Sequence, residues 1–457
     1  MADQNAQGAP VASAQRLKVA SVELRDGIAR KHVAAYVYAA LTTVGLLTFI
    51  SIGTPYVLNV VLRVPTSEQG RLSGDLAFWA EVVLIAVFMP LGMLSDRFGR
   101  RRIYAFGFAM MGLGYLLYPM VTSVGELLAS RLVYAVGVGA ATGMLSTALT
   151  EYPVEGARGR LAAVTGMLNG IGLVLLLGIA GALPKWLGAL GFDALKSGQL
   201  THYAVALACW VSALIVGWGL HDGQQVKASQ RSSLGGLVRS AVRAGRNPNL
   251  ALAFIFAFVA RADMVLLGTF STLWGTNQAL AEGQPATHAL AHGRIPMIVA
   301  ESAALLTAPL FGIALDRARR ASTLIACFAL AGVGYLCVGL VSTPLSLMGL
   351  AAFALLGAGH IAAFLASMTL LGQEAPLSGR GSVVGIFNLC GALGILISAG
   401  VGGRLYDDLG PHAPFLFAAI LNGLALASAV VVRVWHGHRD GLDLSRALNE
   451  GEGEHVT

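Results

Sequence analysis

The sequence predicts an all-α membrane protein, with twelve transmembrane helices arranged as two pseudo-symmetric six-helix bundles. Three observations predict it: the composition, the number of long apolar runs, and a repeat relating the two halves. Of 457 residues, 56% are apolar, 12% are charged and 57 are glycine. A soluble protein carries roughly 25% charged residues, so this chain lacks the charge to clothe water-soluble domains of its length. That argues against an ordinary soluble enzyme, a nucleic-acid binder and a disordered scaffold. Glycine at this frequency, without a Gly-X-Y period, suits close-packed membrane helices.

A helix crossing the hydrocarbon core needs about 20 mostly apolar residues. Twelve such runs lie near 33–58, 74–94, 103–122, 126–149, 162–184, 202–220, 250–275, 294–315, 321–341, 345–371, 382–402 and 413–433. A transmembrane β-barrel would need short strands alternating apolar and polar residues. Runs such as Ala206-Leu-Ala-Cys-Trp-Val-Ser-Ala-Leu-Ile-Val do not alternate, so the spans are helices. The division that follows is a polar tail (1–32), a first bundle (33–220), a basic linker (221–249), a second bundle (250–433) and a second tail (434–457).

The net charge is +7, and its placement orients the chain. The first tail holds Arg16, Lys18, Arg25, Arg30 and Lys31; the loop after helix 2 holds Arg97, Arg100, Arg101 and Arg102; the linker adds Lys227, Arg231, Arg239, Arg243 and Arg246. The positive-inside rule then places both termini in the cytoplasm, as expected of a plasma (inner) membrane protein. The first 32 residues are polar and the first apolar run is long enough to span, so no cleavable signal is expected. The four cysteines fall inside predicted helices without metal-ligand spacing. No metal and no cofactor are expected.

The halves repeat. Glu81, Gly92, Asp96, Arg97 and Arg100 recur as Glu301, Gly312, Asp316, Arg317 and Arg320, each 220 residues on. Glu151-Tyr-Pro with Arg158-Gly resembles Glu374-Ala-Pro with Arg380-Gly, and Gly166-x-x-Asn169-x-x-Gly172 matches Gly385-x-x-Asn388-x-x-Gly391. Three matches in the same order make the halves structural duplicates. Duplicated membrane halves rocking about a midplane site are the architecture of secondary transporters. The expected function is therefore transport, with a small-molecule substrate, a lipid bilayer and no nucleic acid as partners, and a monomer as the working unit.

The segment Gly92-Met-Leu-Ser-Asp96-Arg97-Phe-Gly99-Arg100-Arg101 also resembles the signature between helices 2 and 3 of the major facilitator superfamily. The stretch Gly312-x-x-x-Asp316-Arg317-x-x-Arg320 is similar to its degenerate second copy, lacking a counterpart of Gly99. The resemblance extends over nearly the whole chain. It implies that Asp96 caps the start of helix 11, an anion at a positive helix end, holding the cytoplasmic side shut. Arg97, Arg100 and Arg101 then pair with acids at nearby helix ends, Glu151 first among them. By pseudo-symmetry Asp316 caps helix 5, and Arg317 or Arg320 reaches Glu374. Arg131 with Gly137, Gly139 and Gly143 is similar to the family's helix 4 element. The Gly-Pro pair usual in helix 5 of its drug/proton antiporters is missing, since no proline follows Gly170 until Pro184.

Ionisable side chains inside a membrane are costly, at least about 2.5–3.5 kcal/mol at a helix centre, and so are functional candidates. Glu81 and Glu301 lie about 16 Å from the cytoplasmic turn, near the midplane. They are candidate proton carriers, or else structural acids bonded across the two-fold interface. Arg131 is a coupling or anion-contact candidate in the outer third of helix 4, against a snorkelling role. Arg261 and Asp263 are two residues apart and cannot face one direction. Asp263 is the candidate for the cavity, with a locally broken helix as the alternative. His360 is a candidate relay; Asn169 and Asn388 are expected to lock helices through interhelical hydrogen bonds or touch substrate. Tyr38, Trp79, Trp210 and Trp274 read as packing.

No Gly-x-x-x-x-Gly-Lys-Ser/Thr loop is present for nucleotide phosphates, and no hydrolase elbow. The chain is thus expected not to be an enzyme. The sharpest expectation is proton-coupled, alternating-access transport of a small organic solute, anionic by preference. A proton-driven exporter of lipophilic drugs or lipids is the alternative, and a membrane sensor or assembly partner is the alternative of another class.

Overall fold

The computed structural model describes residues 18–19, 22–222, 247–317, 320–375 and 380–453. Within these, side chains are not described at 18–19, 155, 316–317, 320–322, 380–382 and 435–453. Asp316, Arg317, Arg320 and Arg380 of the expected gate therefore lie outside the described side chains.

All twelve apolar runs are helices, long and apolar enough to cross a membrane. The first bundle comprises α1 (Arg30–Tyr56), α2 (Gln69–Phe98), α3 (Arg100–Leu117), α4 (Val124–Glu151), α5 (Arg158–Ala189) and α6 (Ala194–Gly219). The second comprises α7 (Pro248–Ala281), α8 (Ala286–Gly293, continuing as Ile295–Arg317), α9 (Arg320–Leu340), α10 (Leu347–Glu374), α11 (Arg380–Leu409) and α12 (Ala413–Gly453).

Local chemistry sets the helix ends. Ser123 starts α4 by accepting the Glu126 N–H (3.3 Å), while the Glu126 carboxylate accepts the Thr122 N–H (2.7 Å). Asp193 and Ser346 start α6 and α10 by accepting the N–H of Lys196 (2.7 Å) and Gly349 (3.0 Å). Each such side chain satisfies a donor the helix leaves orphaned. Gly99 alone separates α2 from α3, with φ of +91°; a side chain is strained in that conformation.

The duplication is visible in the packing. The contacts of α1 with α5, α3 with α4, α3 with α6 and α2 with α4 recur as α7 with α11, α9 with α10, α9 with α12 and α8 with α10. The bundles meet mainly along α2 and α11, and along α5 and α8.

Both ends of the described chain and the α2–α3 loop, with its arginines, lie on one face, here called the basic face. There a two-stranded hairpin pairs Lys18–Val19 with Val22–Glu23, and Leu24 bridges to Pro153. Buried Val22 and Leu24 seat this strap on the α4–α5 loop.

Several helices outrun their apolar windows. The window for helix 6 starts at 202, yet α6 begins at Ala194; α2 begins at Gln69 and α11 ends at Leu409. Hydropathy marks only what the hydrocarbon requires, and helical hydrogen bonding continues past it. Residues assigned to loops by hydropathy therefore sit on helix ends where the bundles meet.

Candidate functional site

The two ends of the bundle interface are built differently. Toward the face opposite the basic one, the helices touch backbone to backbone. Gly74 of α2 faces the Ala399 carbonyl and Gly403 of α11, where a Cβ has no room. The Asp407 carboxylate, on the last turn of α11, accepts the N–H of Gly70 (2.8 Å) and Arg71 (2.7 Å) on the first turn of α2. Arg71 pairs with Asp408 (3.2 Å), and Arg404 with Asp75 (3.1 Å).

Beside them Asn59, Gln69 and Asn277 close a ring of amide hydrogen bonds. Asn59 donates to Asn277 (3.1 Å), Asn277 to Gln69 (2.9 Å) and Gln69 to Asn59 (3.0 Å). Asn59 reaches α7 from a π-helical turn, Val57–Val61, that extends α1 beyond Pro55; such turns recur at functional positions. Thr272 donates to the Ser51 carbonyl (2.7 Å). On the α5–α8 side, Arg294 donates to the Gly181 (2.6 Å) and Gly178 (3.3 Å) carbonyls.

Toward the basic face the described residues of α2 and α8 carry exposed apolar side chains. On α2 the large residues Ile85, Phe88, Met89, Met93 and Leu94 are exposed, as are Leu306, Leu310 and Ile313 on α8. A Cβ on Gly92, Gly166 or Gly312 meets no described atom within 4 Å. Gly92 was expected to let helix 2 approach a neighbour, and in this state no described neighbour is there. Among the described residues, the contacts between the bundles are concentrated toward the opposite face.

Glu81 sits where the seam ends. It lies one turn beyond Phe78, which still faces Gly400 of α11, and is 8% exposed. Across the interface stands Arg261 of α7, within electrostatic reach but without an ion-pair contact. Its guanidinium lies 5.9 Å from the Phe364 ring centroid on α10. Its stem crosses Gly391, where a Cβ meets the Arg261 Cγ. One glycine of the repeated motif therefore makes room for the arginine.

This revises the expectation for Asp263. It is fully buried and turned into its own bundle, where both carboxylate oxygens accept from the Asn422 amide (2.9 Å each) on α12. The Tyr335 hydroxyl donates to the Asp263 carbonyl (2.9 Å). The two-residue spacing does put Arg261 and Asp263 on different faces, but the arginine takes the interface. Helix α7 runs unbroken through both, so no local break pairs them.

Glu301 is half-buried on α8, with Tyr335 as its electrostatic neighbour. The symmetric acids therefore have different surroundings, and no hydrogen bond joins them across the interface. Arg131 lies over Tyr134 (5.5 Å), near Tyr115, with Nε and Nη1 buried and unbonded. His360 is buried with Nδ1 unbonded, and the Asn169 Oδ1 is likewise buried and unbonded. Asn388 is exposed. The expected interhelical hydrogen bonds of the two asparagines are not formed in this state. The structure brings Glu81 and Arg261 within electrostatic reach of each other, while Asp263 is bonded within its own bundle.

At the basic face Arg100 forms the expected ion pair with Glu151 and lies 3.8 Å from Asp96. Arg101 pairs with Asp222 (3.0 Å), and Arg97 lies over Phe98 (5.4 Å). Arg158 is exposed on the first turn of α5, and Glu374 is half-buried at the end of α10.

Sequence reading missed Asn422, the amide seam and Asp407. It also missed His202, buried two turns into α6 against Phe49, Tyr56 and Tyr118. One signal for Asp407 was available: Gly403-x-x-x-Asp407 repeats the glycine-to-aspartate spacing of Gly92-x-x-x-Asp96.

Two packed bundles of six spanning helices, sealed at one end around a charged pair, define a transmembrane transporter rather than an enzyme. The Major Facilitator Superfamily model matches residues 44–300 and 295–441, and the chain belongs to that family. It is 28% identical over 426 residues to the magnetosome protein MamH of Paramagnetospirillum magneticum, covering 91% of this chain and 94% of that one. In fold it resembles a mutant form of the nucleoside transporter NupG, with a TM-score of 0.70 and 13% identity over 88% of this chain and 99% of that one. It also resembles a D-xylose–proton symporter, with a TM-score of 0.66 and 18% identity over 87% of this chain and 97% of that one.

Proposed function

We propose that the protein is a proton-coupled secondary transporter of a small polar organic solute, anionic by preference. Its cleft opens to the cytoplasm in the state described. The orientation rests on the positive-inside rule, which assigns the basic face to the cytoplasm. The observation that carries the reading is Glu81 and Arg261, one from each bundle and within electrostatic reach of each other. A carboxylate in electrostatic reach of a guanidinium, without direct contact, leaves the arginine available to an anionic substrate group. The glutamate in turn can exchange its charge for a proton. Transporters place substrate and coupling groups at this interface near the midplane. The D-xylose–proton symporter among the structural neighbours is compatible with coupling to protons.

The test is uptake by liposomes containing the purified chain under an imposed pH gradient, across a panel of organic anions and neutral solutes. Gradient-driven accumulation of an anion, lost in Arg261→Gln, supports the reading. Transport of amphiphiles alone points to the drug or lipid exporter, and silence across both panels to the sensor. A second reading concerns the membrane. The likeness to MamH over 91% of the chain supports a magnetosome membrane as an alternative to the plasma membrane. Fractionation of cells expressing a tagged chain separates the two.

A further inference from the structure

Helices α2 and α11 run antiparallel along the bundle seam and end alike. Asp96 of α2 follows Gly92 by four residues, and Asp407 of α11 follows Gly403 by four. Each aspartate stands 27 residues beyond the start of its own helix (96 from 69, 407 from 380). For two antiparallel helices of equal reach, that offset brings the terminal acid of each to the first turn of the other.

The contact made by Asp407 is present in the structure. The Asp407 oxygens take the N–H groups of Gly70 and Arg71 at 2.8 and 2.7 Å. These are short, charge-assisted bonds to orphan donors at the positive end of a helix dipole. Gly70 makes the approach possible, because a Cβ there meets Asp407 and Tyr406. Arg71–Asp408 and Arg404–Asp75 flank the contact, but they are about half-exposed and so of small energetic weight.

We infer that Asp407 is the latch of the opposite face: it holds the cleft shut there by capping α2, and its release is a required step of reopening. It is the positional counterpart of the Asp96 element at the basic face, carried on the partner helix. The cycle then alternates between two acid-to-helix contacts on one pair of helices, and the balance of the two sets the resting state. The inference rests on the alternating-access reading above, but its readout needs no substrate, so a failed uptake screen leaves it standing.

The test uses spin labels on the full chain in liposomes, with the four native cysteines replaced by alanine. One pair at Ser67 and Leu409 reads the opposite face; a second at Phe98 and Gln373 reads the basic face. Asp407→Asn is expected to raise the population with a widened Ser67–Leu409 distance about tenfold, with matching narrowing at the basic face. Asp96→Asn is expected to shift both distances the other way or leave them. Arg71→Pro removes one N–H that Asp407 uses, at a first-turn position where proline is tolerated. It should act like Asp407→Asn, while Arg71→Ala should move the distances little; this pair keeps the test decisive if Asp407→Asn fails to fold. Wild-type distances in Asp407→Asn, or equal behaviour of Arg71→Pro and Arg71→Ala, overturn the inference.

Discussion

The two halves of α2 differ in their surroundings, and the alternating-access proposal assigns each half to its own state. Its first half is fitted to α11 through Gly70 and Gly74, with Asp407 on its first turn. Its second half carries the superfamily signature and exposes Phe88, Met93 and Leu94. Close packing at one end and exposure at the other, on the same element, is what a rocking bundle requires. Tight backbone contact at both ends at once would freeze the molecule. On the alternating-access proposal, glycines at each end permit contact and one end takes it at a time.

The largest expected effect comes from filling one end and then the other. Gly74→Leu places a side chain against the Ala399 carbonyl and Gly403, so the opposite face cannot close. Uptake should fall to background and the Ser67–Leu409 distance should widen. Gly92→Leu meets no described atom in this state. It should leave those distances unchanged, yet abolish uptake by blocking closure of the basic face. Equal distance changes in both variants would break the contrast between the ends.

Next in size is Glu81→Gln. Gradient-driven accumulation should drop at least about tenfold while substrate exchange without a gradient survives, since proton exchange at the acid is removed and the arginine is not. Loss of both activities would make Glu81 structural.

Asp263→Ala should act on stability instead. It leaves the Asn422 amide without its carboxylate in a buried site, at a cost of about 1–3 kcal/mol. A lowered melting temperature in detergent is expected, with transport per folded molecule retained. A loss of transport at full stability would return Asp263 to the cleft. The smallest effect belongs to Arg404→Gln. The exposed pair with Asp75 is worth roughly 0–1 kcal/mol, so only a slight, salt-dependent change in the spin-label distances is expected.

Much of the fold was legible in the chain because each part has a local cause. Twelve apolar runs are long enough to span, and a 220-residue offset carries Glu81 to Glu301 and Asp96 to Asp316. The Arg100–Glu151 pair was legible too, since both residues sit at ends of neighbouring helices in one bundle. The site was legible in its members but not in its pairing. Glu81 and Arg261 were both candidates, yet nothing along the chain says that α2 presents one to the other across 180 residues of sequence. Asp407 fell beyond the apolar window of helix 11, and hydropathy does not see a helix that continues into polar surroundings.

The sequence by itself determined the class, the helix count, the duplication and the clustering of basic residues, because hydropathy, length, repeat and charge are properties of the chain. Only the tertiary structure decided that Arg261 rather than Asp263 faces the other bundle, and that α11 latches α2 through Asp407. Those outcomes depend on the rotation and length of whole helices. Both are set by where glycines let neighbouring backbones meet and by which buried polar group finds a partner, as Asp263 finds Asn422.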